Sequence, residues 1–149
     1  MSYSMLSNMN PLSNVPTGEL YTLQLPSKME SITLVENLIE EIADKFHISE
    51  DTFANMMTCL SEAVINAIVH GNKLDPDKTV IVNADVEEKR TIWSITDEGD
   101  GFDYNNLPDP TIAENLENLT GRGVFIIKHL ADQCVFNAKG NEVELHFKI

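Results

Sequence analysis

The stretch SEAVINAIVHGN, residues 61–72, combines an apolar helical pattern with three polar side chains at four-residue spacing. Glu62, Asn66 and His70 each follow the previous one by about one helical turn, so they form one polar stripe opposite the apolar stripe. Apolar residues lie beside this stripe, which argues against an open, solvent-facing flank. A carboxylate and an amide in a cleft need partners, and Mg²⁺ takes oxygen ligands of both types. The alternative is that Asn66 and His70 hydrogen-bond neighbouring loops.

A second group, TDEGDGFD at residues 96–103, directly follows a predicted strand. Asp97 stands at the end of that strand, where its carboxylate can accept a hydrogen bond from an exocyclic amine. Gly99 and Gly101 allow the backbone to turn tightly and to approach a ligand closely. An acidic turn is the alternative interpretation. A calcium loop does not fit, because the glycine and final glutamate spacing of an EF-hand is missing.

A third group, TGRGVFIIKHL, places Gly121 and Gly123 on either side of Arg122, just before an apolar helix. Backbone N–H groups at a helix N-terminus form a site for phosphate, and arginine adds a planar donor. A glycine-rich loop with a surface arginine is the alternative. The stretch has neither the lysine motif of P-loop proteins nor the strand–GxGxxG–helix arrangement of dinucleotide-binding folds.

The elements that must position these groups follow from periodicity. Alternating apolar residues predict strands, and apolar residues at helical spacing predict helices. The predicted strands are 20–26, 79–86, 90–96, 134–138 and 142–149, and the predicted helices run from a Ser27–Glu30 capping box to Phe46, from Ser49 to Gly71, and from Gly121 onward. In the last strand the inward residues are predicted to be Val143, Leu145, Phe147 and Ile149.

Hairpins rather than βαβ crossovers join these strands. The predicted fold class is therefore α+β: a two-layer α/β sandwich with a mixed, mainly antiparallel sheet and helices on one face. Residues 1–18 are rich in Ser, Asn and Pro and are predicted to be a flexible arm. Residues 19–149 are predicted to form one domain.

Composition narrows the classes of function. The 149 residues include 24 acidic and 10 basic side chains, for a net charge of −14, which disfavours direct binding to nucleic acid or to an anionic membrane. The two cysteines lack metal-binding spacing and are typical of a reducing compartment. No signal-like N-terminus and no run of 18 apolar residues is found, so a cytoplasmic location is expected.

Together the three groups carry a more specific signal than any one alone. Their order along the chain, E-x-x-x-N, then D-x-G-x-G, then G-x-G before a helix, resembles the ATP-binding fold shared by gyrase B, the Hsp90 chaperone, histidine kinases and the MutL repair protein. EAVINAIVHGN, DEGDGFD and GRGVFIIKHLAD, with the final strand EVELHFKI, are most similar to the bacterial anti-sigma factor serine kinases. The resemblance covers residues 20–149.

The resemblance implies a role for each motif position. Glu62 would be the general base for a serine hydroxyl, Asn66 would coordinate Mg²⁺, and Asp97 would bind the adenine amino group. His70 is expected to be structural. The remaining positions implied to bind ATP are Gly99, Gly101, Thr120, Gly121, Arg122, Gly123 and Val124.

The resemblance also implies an activity and partners. The expected protein is an ATP- and Mg²⁺-dependent protein-serine kinase that sequesters a sigma factor, phosphorylates a small anti-sigma antagonist protein, and forms a homodimer. The alternative is a regulatory module that binds nucleotide and a protein partner without phosphotransfer. Two features depart from the family pattern. One is the N-terminal arm, and the other is the lid, the segment between the second and third motifs, which is short and acidic and carries Glu114 and Glu117.

Overall fold

The computed structural model describes residues 18–101 and 119–149, with the side chains of residues 119–122 excepted. In chain order the elements are β1 (Glu19–Pro26), α1 (Ile32–Lys45), α2 (Glu50–Ile65), β2 (Thr79–Val86), β3 (Arg90–Thr96), α3 (Leu119–Leu130), β4 (Gln133–Phe136) and β5 (Glu142–Lys148). A single 3₁₀ turn, Met29–Ser31, precedes α1, and a π-helical turn, Asn66–Gly71, continues α2.

The five described strands form one sheet in the order β1-β2-β3-β5-β4, and all four neighbouring pairs are antiparallel. Two hairpins, β2–β3 and β4–β5, form where the sequence predicts them. The helices and the inward faces of the strands share one hydrophobic core. The α+β sandwich predicted from the sequence is therefore confirmed.

The core follows the alternation of the strands. Tyr21, Leu23 and Leu25, which alternate along one face of β1, are buried, and Trp93 of β3 is fully buried near the centre of the sheet. Burying a large apolar side chain stabilises the fold by about 1.5–3 kcal/mol. In β5 the prediction fails only at its last position: Ile149 is 37% exposed, because β5 ends at Lys148 and the sheet no longer covers it.

Helix α2 is apolar enough to raise the question of a membrane. Within the described residues, Glu50–Gly71 is the one helix whose length and mean hydropathy of 1.3 would suffice for a membrane span. Core helices of soluble proteins meet the same criterion. This helix buries Met56, Leu60 and Val64 in the common core, which accounts for its hydropathy without a membrane.

The starts predicted for α1 and α2 have different outcomes. Ser49 is the N-cap of α2, and its hydroxyl accepts a hydrogen bond from the Thr52 N–H at 3.3 Å. The Ser27–Glu30 capping box is wrong, since α1 begins only at Ile32. Ser27 is buried instead, and its hydroxyl donates to the Lys78 carbonyl at 2.6 Å. A tertiary partner thus replaces the local one.

The predicted α-helix to Gly71 changes character before it ends. From Asn66 onward the backbone forms a π-helical turn, in which the Asn72 N–H donates to the Ala67 carbonyl five residues earlier at 2.8 Å. A π turn holds more residues than an α turn, so His70 does not lie a regular α-helical turn above Asn66. Such turns are frequent at functional sites.

Some of the predictions concern parts of the chain outside the described residues. These are the arm at residues 1–17, the continuation of the second motif beyond Gly101, and the acidic lid with Glu114 and Glu117. The division into an arm and a domain stays a prediction.

Candidate functional site

A pocket opens where the π turn, the start of α3 and the β4–β5 turn meet. Its empty volume is about 590 Å³, which includes space open to solvent. Its lining combines residues from all three sequence motifs with the β4–β5 turn: Ala63, Asn66, Ala67, His70, Gly71, Ile95, Asp97, Gly101, Val124, Ile127, Phe136, Gly140, Asn141, Glu142 and Val143. Most of these side chains are apolar, so the polar ones stand out.

Asp97 is the carboxylate on one side of this pocket. It follows β3, it is half-buried, and its Oδ1 accepts a hydrogen bond from the Gly99 N–H at 2.7 Å. Its backbone is also held, because its N–H donates to the Asn141 carbonyl at 2.9 Å and its carbonyl accepts from Asn141 Nδ2 at 3.0 Å. Burial raises the pKa of the Asp97 carboxyl above its ordinary value, although the Gly99 N–H and two lysines oppose that shift.

Three glycines leave room for Asp97 and its loop. A Cβ at Gly71 would lie 2.4 Å from Asp97 Oδ2, and a Cβ at Gly99 would lie 2.2 Å from the Gly71 carbonyl oxygen. Gly101 has φ +82°, and its Cβ would meet the Lys139 carbonyl oxygen at 1.8 Å. We call Gly71, Asp97, Gly99, Gly101 and Asn141 the Asp97 end of the pocket.

The sequence predicts that this helix ends at Gly71, and the π turn does end there, but Gly71 does not have the left-handed backbone of a glycine C-cap. The residues with left-handed backbone at this helix end are Lys73 and Leu74, with φ 53° and 57°. Gly71 is instead required by the close approach of the Asp97 carboxylate, a contact between segments that a helix-end pattern cannot reveal.

The β4–β5 turn contributes a wall that sequence reasoning treated only as a turn. Asn137 organises it: its Oδ1 accepts from the N–H groups of Gly140 at 2.8 Å and of Asn141 at 3.1 Å, and its Nδ2 donates to Asn141 Oδ1 at 2.7 Å. The available signal was an asparagine three residues before a glycine, which is typical of a side chain that closes a turn. Nothing in that signal indicated Asp97 as the neighbour.

Glu62, Asn66 and Gly123 form the opposite side, which we call the Glu62 end. Glu62 and Asn66 are half-buried, and α3 crosses them at Gly123. A Cβ at Gly123 would lie 3.0 Å from Glu62 Oε2, 3.0 Å from Asn66 Nδ2 and 3.5 Å from Asn66 Oδ1. In the part of the chain that the structure describes, no hydrogen bond holds the side chain of Glu62 or Asn66. A glycine therefore leaves a carboxylate and an amide facing the backbone of α3.

Helix α3 begins at Leu119, two residues before the predicted start at Gly121. Glycine disfavours helix interiors, which is why the pattern placed the start at the glycines. Thr120, Gly121 and Arg122 lie in the first turn, and their side chains lie outside the description. The first four N–H groups of a helix lack intrahelical partners, which is the basis of the phosphate site expected here, and that site stays a prediction.

The two remaining predicted positions lie at the pocket. Val124 is buried and forms part of the apolar wall. His70 is exposed and lines the pocket on the π turn. The structural role expected for His70 stays a prediction.

The donor set fits a nucleotide with Mg²⁺ better than a metal ion alone. Among the described residues, no group of three or more His, Cys, Asp or Glu could hold a metal. Mg²⁺ is usually bound by one or two protein oxygens, with phosphate oxygens and water completing its shell. Glu62 and Asn66 could provide protein oxygens of that kind, and Gly123 leaves the space beside them unfilled.

Comparisons with known proteins identify the family of this chain. Residues 25–147 match the family model of the histidine kinase-like ATPase domain. The chain is 28% identical over 119 residues to the serine-protein kinase RsbW of Bacillus licheniformis, covering 74% of this chain and 73% of that protein. It is 25% identical over 117 residues to RsbW of Bacillus subtilis (74% and 73%) and 27% identical over 123 residues to the anti-sigma F factor of Geobacillus thermodenitrificans (80% and 84%). The resemblance to anti-sigma factor serine kinases is confirmed.

Proposed function

The chain belongs to the histidine kinase-like ATPase domain family, and from this premise we propose that it is an ATP- and Mg²⁺-dependent protein serine kinase that acts as an anti-sigma factor. The observation that carries the proposal is the convergence of Asn66, Asp97 and Val124, one from each motif, on a single pocket. The similarity to serine-protein kinases and to an anti-sigma factor supports the choice of reaction.

The Asp97 end binds the base of the nucleotide. An adenine ring fits between apolar walls, which include Ile95 and Val143, and its exocyclic amine donates to the Asp97 carboxylate. Each carboxylate oxygen has two lone pairs, so the hydrogen bond from the Gly99 N–H leaves acceptor capacity for the amine. Gly71 and Gly99 keep the ring and the carboxylate within reach of each other.

The Glu62 end handles the phosphates and the incoming serine. The Asn66 amide oxygen would hold Mg²⁺, and the bound ion would supply neutralisation of the phosphate charge. Backbone N–H groups in the first turn of α3, with Arg122, bind the phosphate oxygens. Glu62 accepts the proton of the serine hydroxyl as that oxygen attacks the γ-phosphorus of ATP, and the bond from this phosphorus to the β–γ bridging oxygen breaks to release ADP. Phosphoryl transfer depends mainly on such positioning and charge neutralisation.

The proposed partners are proteins. The chain sequesters a sigma factor. A small antagonist protein competes with the sigma factor for the kinase, and phosphorylation of the antagonist on serine releases it from the kinase. We propose that this occurs in the cytoplasm and that the kinase is a homodimer. The net charge of −14 supports protein partners over direct contact with nucleic acid.

A transfer assay tests the proposal. The protein is incubated with γ-labelled ATP, Mg²⁺ and candidate antagonist proteins that carry an accessible serine, and label on the antagonist is measured. Glu62→Gln should lower the transfer rate about 10²–10⁴-fold, the usual contribution of a general base, and leave ADP affinity unchanged. Glu50→Gln is the matched control, because Glu50 is an exposed glutamate in the first turn of the same helix.

One outcome would contradict the role of Glu62, and another would contradict the kinase activity. Equal transfer by Glu62→Gln and wild type would remove Glu62 from the reaction. Nucleotide binding without transfer to any candidate would favour the alternative, a regulatory module that binds nucleotide and a protein partner.

A further inference from the structure

Asn72 lies just beyond the π turn, and no part of the proposed reaction uses it. It is fully buried, at 0% exposure, which is unusual for an asparagine. Its Nδ2 donates to Ser27 Oγ at 2.9 Å and to the Thr79 carbonyl at 3.0 Å, and its Oδ1 accepts from the Glu98 N–H at 2.7 Å. One side chain therefore joins segments that lie far apart in the sequence.

The bonds of Asn72 close a ring beside Asp97. Glu98 directly follows Asp97, and its backbone N–H is held by Asn72. The Glu98 side chain returns to β2, where its Oε2 accepts from the Thr79 N–H at 2.6 Å. Thr79 in turn supplies the carbonyl that Asn72 Nδ2 binds. The peptide after Asp97 is thus fixed by Asn72, just as Asn141 fixes the backbone of Asp97 from the other side.

The backbone after Asn72 is strained. Lys73 and Leu74 have φ 53° and 57°, a left-handed conformation that is unfavourable for residues other than glycine. Such strain persists where the surrounding contacts determine the conformation. Here the contacts include the three hydrogen bonds of Asn72 and the bond from the Leu74 N–H to the Ile68 carbonyl at 2.9 Å.

We infer that Asn72 is a positioning residue that sets the Asp97 carboxylate for the exocyclic amine of adenine. The inference rests on the proposed function, since it assigns Asn72 to the same site. Asn72 acts through the Glu98 peptide: if that peptide rotates, the Gly99 N–H moves with it and no longer orients Asp97 Oδ1. The expected consequence is lost discrimination between purines rather than a uniform loss of binding.

Calorimetric titrations with Mg–ADP and Mg–IDP, which carries a carbonyl in place of the amine, test the inference. Wild type should prefer ADP. Asn72→Asp keeps the volume and an acceptor for the Glu98 N–H but removes both donors, so the ratio of the two Kd values should fall about tenfold. Lower stability alone would weaken both nucleotides equally and leave the ratio unchanged. Asn83→Asp, on the exposed face of β2, is the matched control and should keep the wild-type ratio.

Ser27→Ala provides a milder variant. It removes one acceptor of Asn72 and should lower the ratio of the two Kd values about threefold. This variant tests the inference if Asn72→Asp does not fold. If Asn72→Asp folds and keeps the wild-type ratio of Kd values, the inference about Asn72 is overturned and the proposed function is not. If Asn72→Asp is unfolded, a wild-type ratio in Ser27→Ala has the same consequence. A wild-type protein that binds neither nucleotide, or both equally, overturns the adenine site of the proposed function as well.

Discussion

The two ends of the pocket are built differently. At the Asp97 end, hydrogen bonds from Gly99 and Asn141 hold Asp97, and Asn72 holds the next peptide. At the Glu62 end, Glu62 and Asn66 face Gly123, and in the described part of the chain neither side chain is held by a hydrogen bond. The end proposed to recognise the base is thus ordered before any ligand arrives, while the end proposed to handle phosphate keeps its polar groups available.

This difference predicts that nucleotide affinity and the rate of phosphoryl transfer depend on different ends of the pocket. Changes at the Asp97 end should disturb a network and lower nucleotide affinity. Changes to Glu62 or Gly123 at the Glu62 end should leave affinity and stability nearly intact and lower the rate of transfer.

Gly71→Ala should give the largest effect on binding. The added Cβ would lie 2.4 Å from Asp97 Oδ2, so Asp97 or the π turn must move. We expect ADP affinity to fall about 100-fold, the loss of a hydrogen bond to a charged group, with a circular dichroism spectrum like that of wild type. Calorimetry measures the affinity. Wild-type affinity in this variant would show that the Asp97 end is not the base site.

Gly123→Ala should lower the rate of phosphoryl transfer without lowering the stability of the fold. Its Cβ would lie 3.0 Å from Glu62 Oε2 and from Asn66 Nδ2, so both must shift by a few tenths of an ångström. Small misplacements of reacting groups lower rates, and we expect transfer to fall about tenfold. Alanine favours a helix interior over glycine by about 1 kcal/mol, so the melting temperature should not fall. A large loss of stability with an unchanged rate would reverse the distinction between the two ends.

The smallest of the three expected effects is the change in stability of Asp97→Asn without nucleotide, and we expect it to be a gain. Burial raises the pKa of Asp97 in the folded state, so the folded protein binds this proton more tightly than the unfolded chain. The stabilisation from that proton is fully present below the ordinary pKa of 3.8 and is lost as the pH rises through the raised value. Asparagine does not titrate.

Thermal melts over this pH range measure the effect. The gain of Asp97→Asn over wild type should grow as the pH rises from 3.8 to neutral. A gain that shrinks with rising pH would mean that the ionised Asp97 stabilises the fold, contrary to its burial.

Local patterns in the sequence were sufficient for the fold. Alternation identified Val143, Leu145 and Phe147 as inward residues of β5, and Ser49 marked the start of α2, because each signal depends on neighbours in the chain. The capping box at Ser27 failed because its true partner, the Lys78 carbonyl, lies 51 residues away.

The candidate site was predicted only in part, for the same reason. The motifs named Glu62, Asn66 and Asp97, and the structure lines the pocket with Asn66 and Asp97 and packs Gly123 against Glu62. The supporting residues were missed: Asn72 contacts Glu98 across 26 residues, and Asn141 contacts Asp97 across 44. Contacts of that separation leave no periodic signal in a single sequence.

The most direct test of one shared nucleotide site is an amide NMR titration of the ¹⁵N-labelled protein with Mg–ADP. The account predicts that Gly71, Gly99 and Gly101 at the Asp97 end and Gly123 at the Glu62 end shift together, with a single Kd. Shifts confined to one end, different Kd values at the two ends, or no shifts at millimolar nucleotide would contradict it.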